Sequence, residues 1–191
     1  MRMERLDSNK FKIFLTFDDL VDRGFTKEEL WKNFPKTHQM FQDMLFEASD
    51  ELGFEIDGNL LVHVHLLQAQ GMLIVVTQDL EFIDDEYVEM KVTLDENKEF
   101  MFSFSDFESV IQVSNHLIQL GVKHASVYYW NNQYYMKLYD QDLQLLNKEG
   151  IIAVMSEFSF PSTVTSIRLK EYGKPIMEYD ALYQIQTYFL S

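Results

Sequence analysis

The sequence predicts an α+β protein of two small halves, each a mainly antiparallel sheet covered by helices, joined by an acidic segment. Three observations predict it. Short apolar runs rich in β-branched and aromatic residues recur through the 191 residues, each bounded by turn residues. Helix-capping signatures fall between those runs. Negative charge gathers in one stretch, 79–99, between two similar folding patterns.

In the first half, FKIFLTF (11–17) reads as a strand ending at Asp18 and Asp19, which suit a turn or cap. Gly24 breaks the chain. Thr26 and Glu29 have capping-box spacing, so a short helix through Trp31 is expected. Pro35 can open the next helix, running to about Gly53, with Met40, Phe41, Met44, Leu45, Ala48 and Leu52 as its apolar stripe. LLVHVHLL (60–67) and GMLIVVT (71–77) then form a hairpin. The expected order is β-α-α-β-β, over a domain at 1–78.

The second half, 100–191, opens with the strand EFMFSF (99–104). Ser105 to Glu108 reads as a second capping box. Val110, Ile111, Ser114, Leu117 and Ile118 space as a buried helical face, and Gly121 suits the C-cap. HASVYYW (124–130) and QYYMKLY (133–139) flank Asn131 and Asn132, a pair that tolerates positive φ in a tight hairpin turn. A helix at about 141–158, with Gly150 as a weak spot, precedes a strand at 163–169 and a turn at Gly173 and Pro175. A final helix puts Leu182, Ile185 and Phe189 on one side. FKIFLTFDDL and FMFSFSDFESV both run strand, cap, helix. Duplication and chance both account for that, because the same local physics produces each.

Residues 79–99 carry two Lys against nine Asp and Glu, a net of −7 within a chain total of −15. Such density favours a solvated, extended joint. YVEMKVTL (87–94) also alternates well enough to be a strand, which would make the stretch an edge within one body.

Composition excludes several function classes. With 47% hydrophobic and 15% aromatic residues there is ample material for a core. No run approaches the roughly 18 apolar residues of a membrane span, and MRMERLDSNK is no secretory signal. The absence of cysteine excludes disulfides and thiolate chemistry. The acidic balance, with Lys and Arg scattered singly, disfavours nucleic acid and anionic membranes. A soluble cytoplasmic protein is expected.

No catalytic residue, metal ligand set or cofactor is expected. Gly-rich phosphate loops and the G-x-S-x-G elbow are missing from the sequence. His38, His116 and His124 lack a nucleophile or orienting carboxylate at motif spacing. His63 and His65 share one strand face and are the basis of the alternative reading, a metal- or small-molecule-binding regulator. Asp18-Asp19 and Asp84-Asp85-Glu86 lack calcium-loop spacing and read as solvated charge. The aromatic hairpin Tyr128, Tyr129, Trp130, Tyr134, Tyr135 and Tyr139, and the loop LKEYGKPIM (169–177), suit a partner surface. Exposure at turns selects Trp130, Asn131, Asn132, Glu171, Tyr172 and Lys174 as partner-binding candidates.

The start MRMERLDSNKFKIFLTFDDLVDRGFTKEELW, LQAQGMLIVVT, FMFSFSDFESVIQVS, YYWNNQYYMKLY and RLKEYGKPIMEYDALYQIQTYF together resemble the MecA family of bacterial adaptor proteins, in order and over nearly the whole chain. Within it the chain resembles most the shorter paralogue branch called YpbH or MecA 2. Typical members carry a longer acidic linker, so 79–99 departs from the pattern as a compressed version. The resemblance implies a homodimeric, non-enzymatic cytoplasmic adaptor in regulated proteolysis. It implies that the N-terminal half binds unfolded, aggregated or regulatory clients, the competence regulator ComK among them. It implies that the C-terminal half binds the AAA+ unfoldase ClpC and promotes its assembly with the protease ClpP.

Overall fold

The computed structural model describes residues 1–26, 29, 34–56, 59–67, 70–79, 88–95 and 99–190. They fall into two compact units. Met1–Leu67 and Gly71–Asp95 form the first; Gln68–Gln70 and Glu96–Ser191 form the second. The two antiparallel-rich, helix-covered sheets are the fold class expected.

The first unit holds β1 (Arg2–Asp7), β2 (Lys10–Thr16), α1 (Phe17–Asp22), α2 (Phe34–Leu52), β3 (Asn59–Leu67), β4 (Gly71–Asp79) and β5 (Val88–Asp95). Its sheet has the order β1-β2-β4-β3-β5. All neighbours are antiparallel except β3 and β5. Phe11, Ile13 and Leu15 of β2, Val62 and Val64 of β3, and Ile74 and Val76 of β4 form one core with Met40, Phe41, Met44, Leu45 and Ala48 of α2. That helical stripe is the expected one, and strand alternation supplies the facing side. The Thr26 hydroxyl accepts the Glu29 N–H at 3.3 Å and the Glu29 carboxylate accepts the Thr26 N–H at 2.9 Å, so that capping box is formed. The helix expected through Trp31 lies outside the described residues.

One feature of this unit differs from expectation. RMERLD forms the edge strand β1, with Met3 opposite Ile13. A polar edge strand has no apolar period to announce it. Within the acidic stretch, Val88–Asp95 form β5, which runs parallel to β3, with Val62 opposite Met90 and His63 opposite Lys91. Residues 80–87 and 96–98, the rest of the acidic concentration, lie outside the described residues.

The second unit holds β6 (Phe100–Phe104), α3 (Phe107–Gln119), β7 (Ala125–Trp130), β8 (Gln133–Leu138), α4 (Asp140–Leu143), α5 (Lys148–Phe158), β9 (Phe160–Pro161), α6 (Ser166–Tyr172), β10 (Lys174–Met177) and α7 (Ala181–Phe189). Its sheet runs β10-β7-β8-β6-β9. Helix α3 packs on α5 and α7. Gly121, at φ +88°, ends α3: its N–H reaches the Ile118 carbonyl and the Val122 N–H reaches Leu117, both at 3.0 Å. Asn131 and Asn132 stand at φ 48° and 61°, the tight turn expected of them.

Four local expectations are corrected. The cap of α3 is Asp106, whose Oδ1 accepts the Ser109 N–H at 2.7 Å, while Ser105 Oγ donates to Asp106 at 3.0 Å. The helix expected at 141–158 is two, because the Asn147 side chain accepts the Gly150 N–H at 3.1 Å and starts α5 afresh. Gly150 therefore sits in a first turn rather than a helix interior. The strand expected at 163–169 is the start of α6, capped by Thr165 onto the Arg168 N–H. A strand would point Ile167 and Leu169 the same way; the helix buries Leu169 fully and leaves Ile167 76% exposed. Gly173 then leads straight into β10, where a turn through Pro175 was expected.

Candidate partner-binding surface

β10 pairs antiparallel with β7, with Lys174 opposite Tyr129 and Pro175 opposite Tyr128. This pairing decides the geometry of the site. It lays the segment after α6 alongside the strand that ends at Trp130. The six candidates chosen at two separate turns, Trp130, Asn131, Asn132, Glu171, Tyr172 and Lys174, thus belong to adjacent elements at one edge of the second sheet.

One face of that sheet presents Met101, Tyr128 and Tyr135, packed on Leu169 of α6 with Trp130 and Val164 partly buried against them. Burial raises the Tyr128 and Tyr135 hydroxyls above the usual tyrosine range, and the Tyr135 hydroxyl donates to Gln133 Oε1 at 3.2 Å. The Arg168 guanidinium carbon lies 4.9 Å from the Trp130 ring centre. On the other face Tyr129 meets Tyr134 at 4.9 Å, Tyr134 meets Phe107 at 5.3 Å, and Phe107 meets Phe189 at 5.6 Å. The hairpin tip is therefore flanked by aromatic rings on both sides. Asn131, Asn132, Glu171 and Lys174 are exposed, Tyr172 is 63% exposed, and Trp130 is half-buried.

Helix α6 is held at its start by an ion-pair network. The Ser166 N–H donates to Glu99 Oε2 at 2.8 Å, and Lys137 Nζ lies 2.7 Å from Glu99 Oε1 and 3.1 Å from Ser166 Oγ. Burial alone would raise the Glu99 carboxyl, but the Lys137 and Ser166 hydrogen bonds outweigh it and hold the group below its ordinary range. At the helix end an added Cβ on Gly173 would come within 2.6 Å of the Leu169 carbonyl oxygen, so the close passage into β10 requires glycine there. Both ends of the segment bearing Tyr172 are fixed.

Sequence reasoning missed Ile167, Arg168 and Lys170, all exposed on α6, because it read the segment as a strand. The available signal was Thr165, a good N-cap, followed by the helix formers of RLKE.

The histidines fall elsewhere. The rings of His63 and His65 stand edge to face at 6.5 Å. Their strand neighbours are Val75 and Lys91 for His63, and Leu73 and Thr93 for His65, none a good metal ligand. Among the described residues no group of three or more His, Asp or Glu could hold a metal ion. The His116 and Phe158 rings meet at a tilt, with ring centres 5.5 Å apart. His124 has an orienting carboxylate from a residue 18 positions away, outside any motif spacing. Asp142 accepts both its Nδ1 at 2.9 Å and its backbone N–H at 2.8 Å, and Tyr179 stacks on the ring at 4.2 Å. No hydroxyl bonds that ring among the described residues, so the arrangement is a clamp between α4 and the residue that leads into β7. The side chain of His38 lies outside the described residues. Asp19 closes a capping box with Thr16 at the start of α1, and Asp84, Asp85 and Glu86 lie outside the described residues.

The family model described as "Negative regulator of genetic competence (MecA)" matches residues 1–185. The chain is 53% identical over 191 residues to the "Adapter protein MecA" of Oceanobacillus iheyensis, covering 99% of this chain and 100% of that one. It is 49% identical over 195 residues to the "Adapter protein MecA 2" of Bacillus subtilis, again covering 99% and 100%. A chain from a solved structure, "Structural dynamics of the MecA-ClpC complex revealed by cryo-EM", is 28% identical over 50% of this chain and 100% of its own, with a TM-score of 0.40.

Proposed function

The chain belongs to the MecA family, and from that premise we propose that it is a non-enzymatic cytoplasmic adaptor that brings client proteins to the ClpC unfoldase and its protease ClpP. The observation that carries the reading is the family match along 1–185, reinforced by relatives that share the full length and are named adapter proteins. In this reading the first unit holds an unfolded, aggregated or regulatory client, such as the competence regulator ComK. The second holds ClpC and promotes its assembly, and the chain acts as a homodimer.

The physical basis is effective concentration. Holding both macromolecules on one chain makes the meeting of client and unfoldase intramolecular, which raises avidity without any new contact between them. Aromatic side chains supply contact area at low entropic cost, and the hairpin tip with Trp130, Asn131, Asn132, Glu171, Tyr172 and Lys174 is the surface assigned to ClpC.

A three-component capture tests this. The immobilised chain is offered ClpC and a chemically unfolded model protein, separately and together. The reading expects both to be retained, and Tyr172→Ala with Lys174→Ala to lose ClpC while keeping the client. Equal loss of both partners, or retention of ClpC by the double variant, would remove the surface from the assignment.

A further inference from the structure

The chain is strongly acidic, yet one surface of the second unit is not. Residues 166–177 expose Arg168, Lys170 and Lys174 against the single acid Glu171. Those are three of the six cationic side chains in 100–191. Among the described residues none of the three lies within ion-pair distance of a carboxylate. Four other lysines are paired: Lys12 with Glu4, Lys36 with Glu29, Lys137 with Glu99 and Lys148 with Asp140.

The same surface exposes apolar side chains. Ile167 is 76%, Tyr172 63% and Ile176 37% exposed. Helix α6 puts Ile167 one turn before Lys170 and Glu171, and Arg168 one turn before Tyr172, so cations and apolar groups alternate over one patch. Isolated exposed apolar residues are ordinary, but a cluster with a charged rim marks an interaction site. Glu99, Thr165 and Gly173 fix the helix that carries the patch, so little order is lost on docking.

We infer that this patch docks an acidic protein surface bearing a shallow apolar slot, with Ile167 and Tyr172 in the slot and Arg168, Lys170 and Lys174 facing its carboxylates. The inference rests on the proposed function, because the surface is taken to belong to ClpC. It adds the chemistry of the partner face and three residues, Ile167, Arg168 and Lys170. It also reverses the expectation from net charge, under which an acidic chain would seek a basic partner.

The test measures binding of the full chain to ClpC at 50 and 500 mM NaCl, settings about 14 Å and 4 Å in screening length. Wild-type affinity should fall roughly tenfold between them, because rim charges act through screened attraction. K170E/K174E should bind roughly tenfold more weakly at low salt and converge on the wild type at high salt. E171K should bind more tightly at low salt, a gain that misfolding cannot produce. Ile167→Ser should weaken binding at both salts. ClpC binding without salt dependence, or tightened by K170E/K174E, overturns the inference and leaves the adaptor reading standing. No binding by the wild type at either salt overturns the adaptor reading and the inference with it.

Discussion

The Arg168 guanidinium sits over the Trp130 ring, 4.9 Å from its centre. The contact joins the end of β7 to the exposed side of α6, so a ring on the sheet orders a cation on the helix. Trp130→Ala removes the platform and part of the small core around Tyr128, Tyr135 and Leu169. It should lower stability by about 2 kcal/mol and weaken ClpC binding. Urea denaturation read by far-UV circular dichroism checks the first, and titration with ClpC the second. Trp130→Phe should restore most of the stability and part of the binding.

The Glu99 network makes the stability of the second unit depend on acid. The folded carboxyl lies below the ordinary value of 4.5, so its stabilisation is complete above that value and is lost as pH falls through the folded pKa. Glu99→Gln leaves Lys137 without its charge partner and should cost about 1–2 kcal/mol at pH 7. The difference from wild type should shrink as pH falls below the ordinary carboxyl value of 4.5 and through the lowered folded pKa. Parallel melts at pH 7, 5, 4 and 3 measure it; a difference that stays constant would show that the charge is irrelevant.

Asp106 rather than Ser105 caps α3, and the two residues should separate cleanly. Asp106→Ala should cost about 1 kcal/mol at neutral pH. The N–H of Ser109 is the first cause of the lowered Asp106 carboxyl, so the cost should fade in acid. Ser105→Ala should be much milder, since its hydroxyl only donates to Asp106. Equal effects of the two would reverse the assignment.

Asn132 stands at φ 61° and its side-chain oxygen accepts the Tyr129 hydroxyl at 3.1 Å. Asn132→Val should cost about 1–2 kcal/mol, because a β-branched residue is strained there. Asn132→Gly trades that hydrogen bond for relief of strain and should change stability little. Thermal melts of both variants decide this, and equal destabilisation would assign the effect to the hydrogen bond instead.

Much of this fold was legible because local signals agreed with the global one. The stripe from Met40 to Ala48 has helical period, and the Asn pair demands a tight turn. What escaped was set by distant partners. RMERLD becomes a strand only because β2 offers it an edge. SIRLKEY is the exception: the local cap of Thr165 was outweighed by the β-branched run TVT before it, although Glu99, 67 residues away in sequence, also holds Ser166 at the helix start. That one misreading concealed Ile167, Arg168 and Lys170. The six chosen residues were legible as positions at or beside turns, but their assembly on adjacent elements follows from β10 pairing with β7, a long-range contact with no sequence period.

The adaptor account is tested most directly by adding the purified chain to ClpC with ATP, then measuring ATPase rate and hydrodynamic size. The account predicts a higher rate and a shift of ClpC to a larger species containing the chain, both reduced by Trp130→Ala. Unchanged rate and elution, at concentrations of the chain well above those of ClpC, would contradict it.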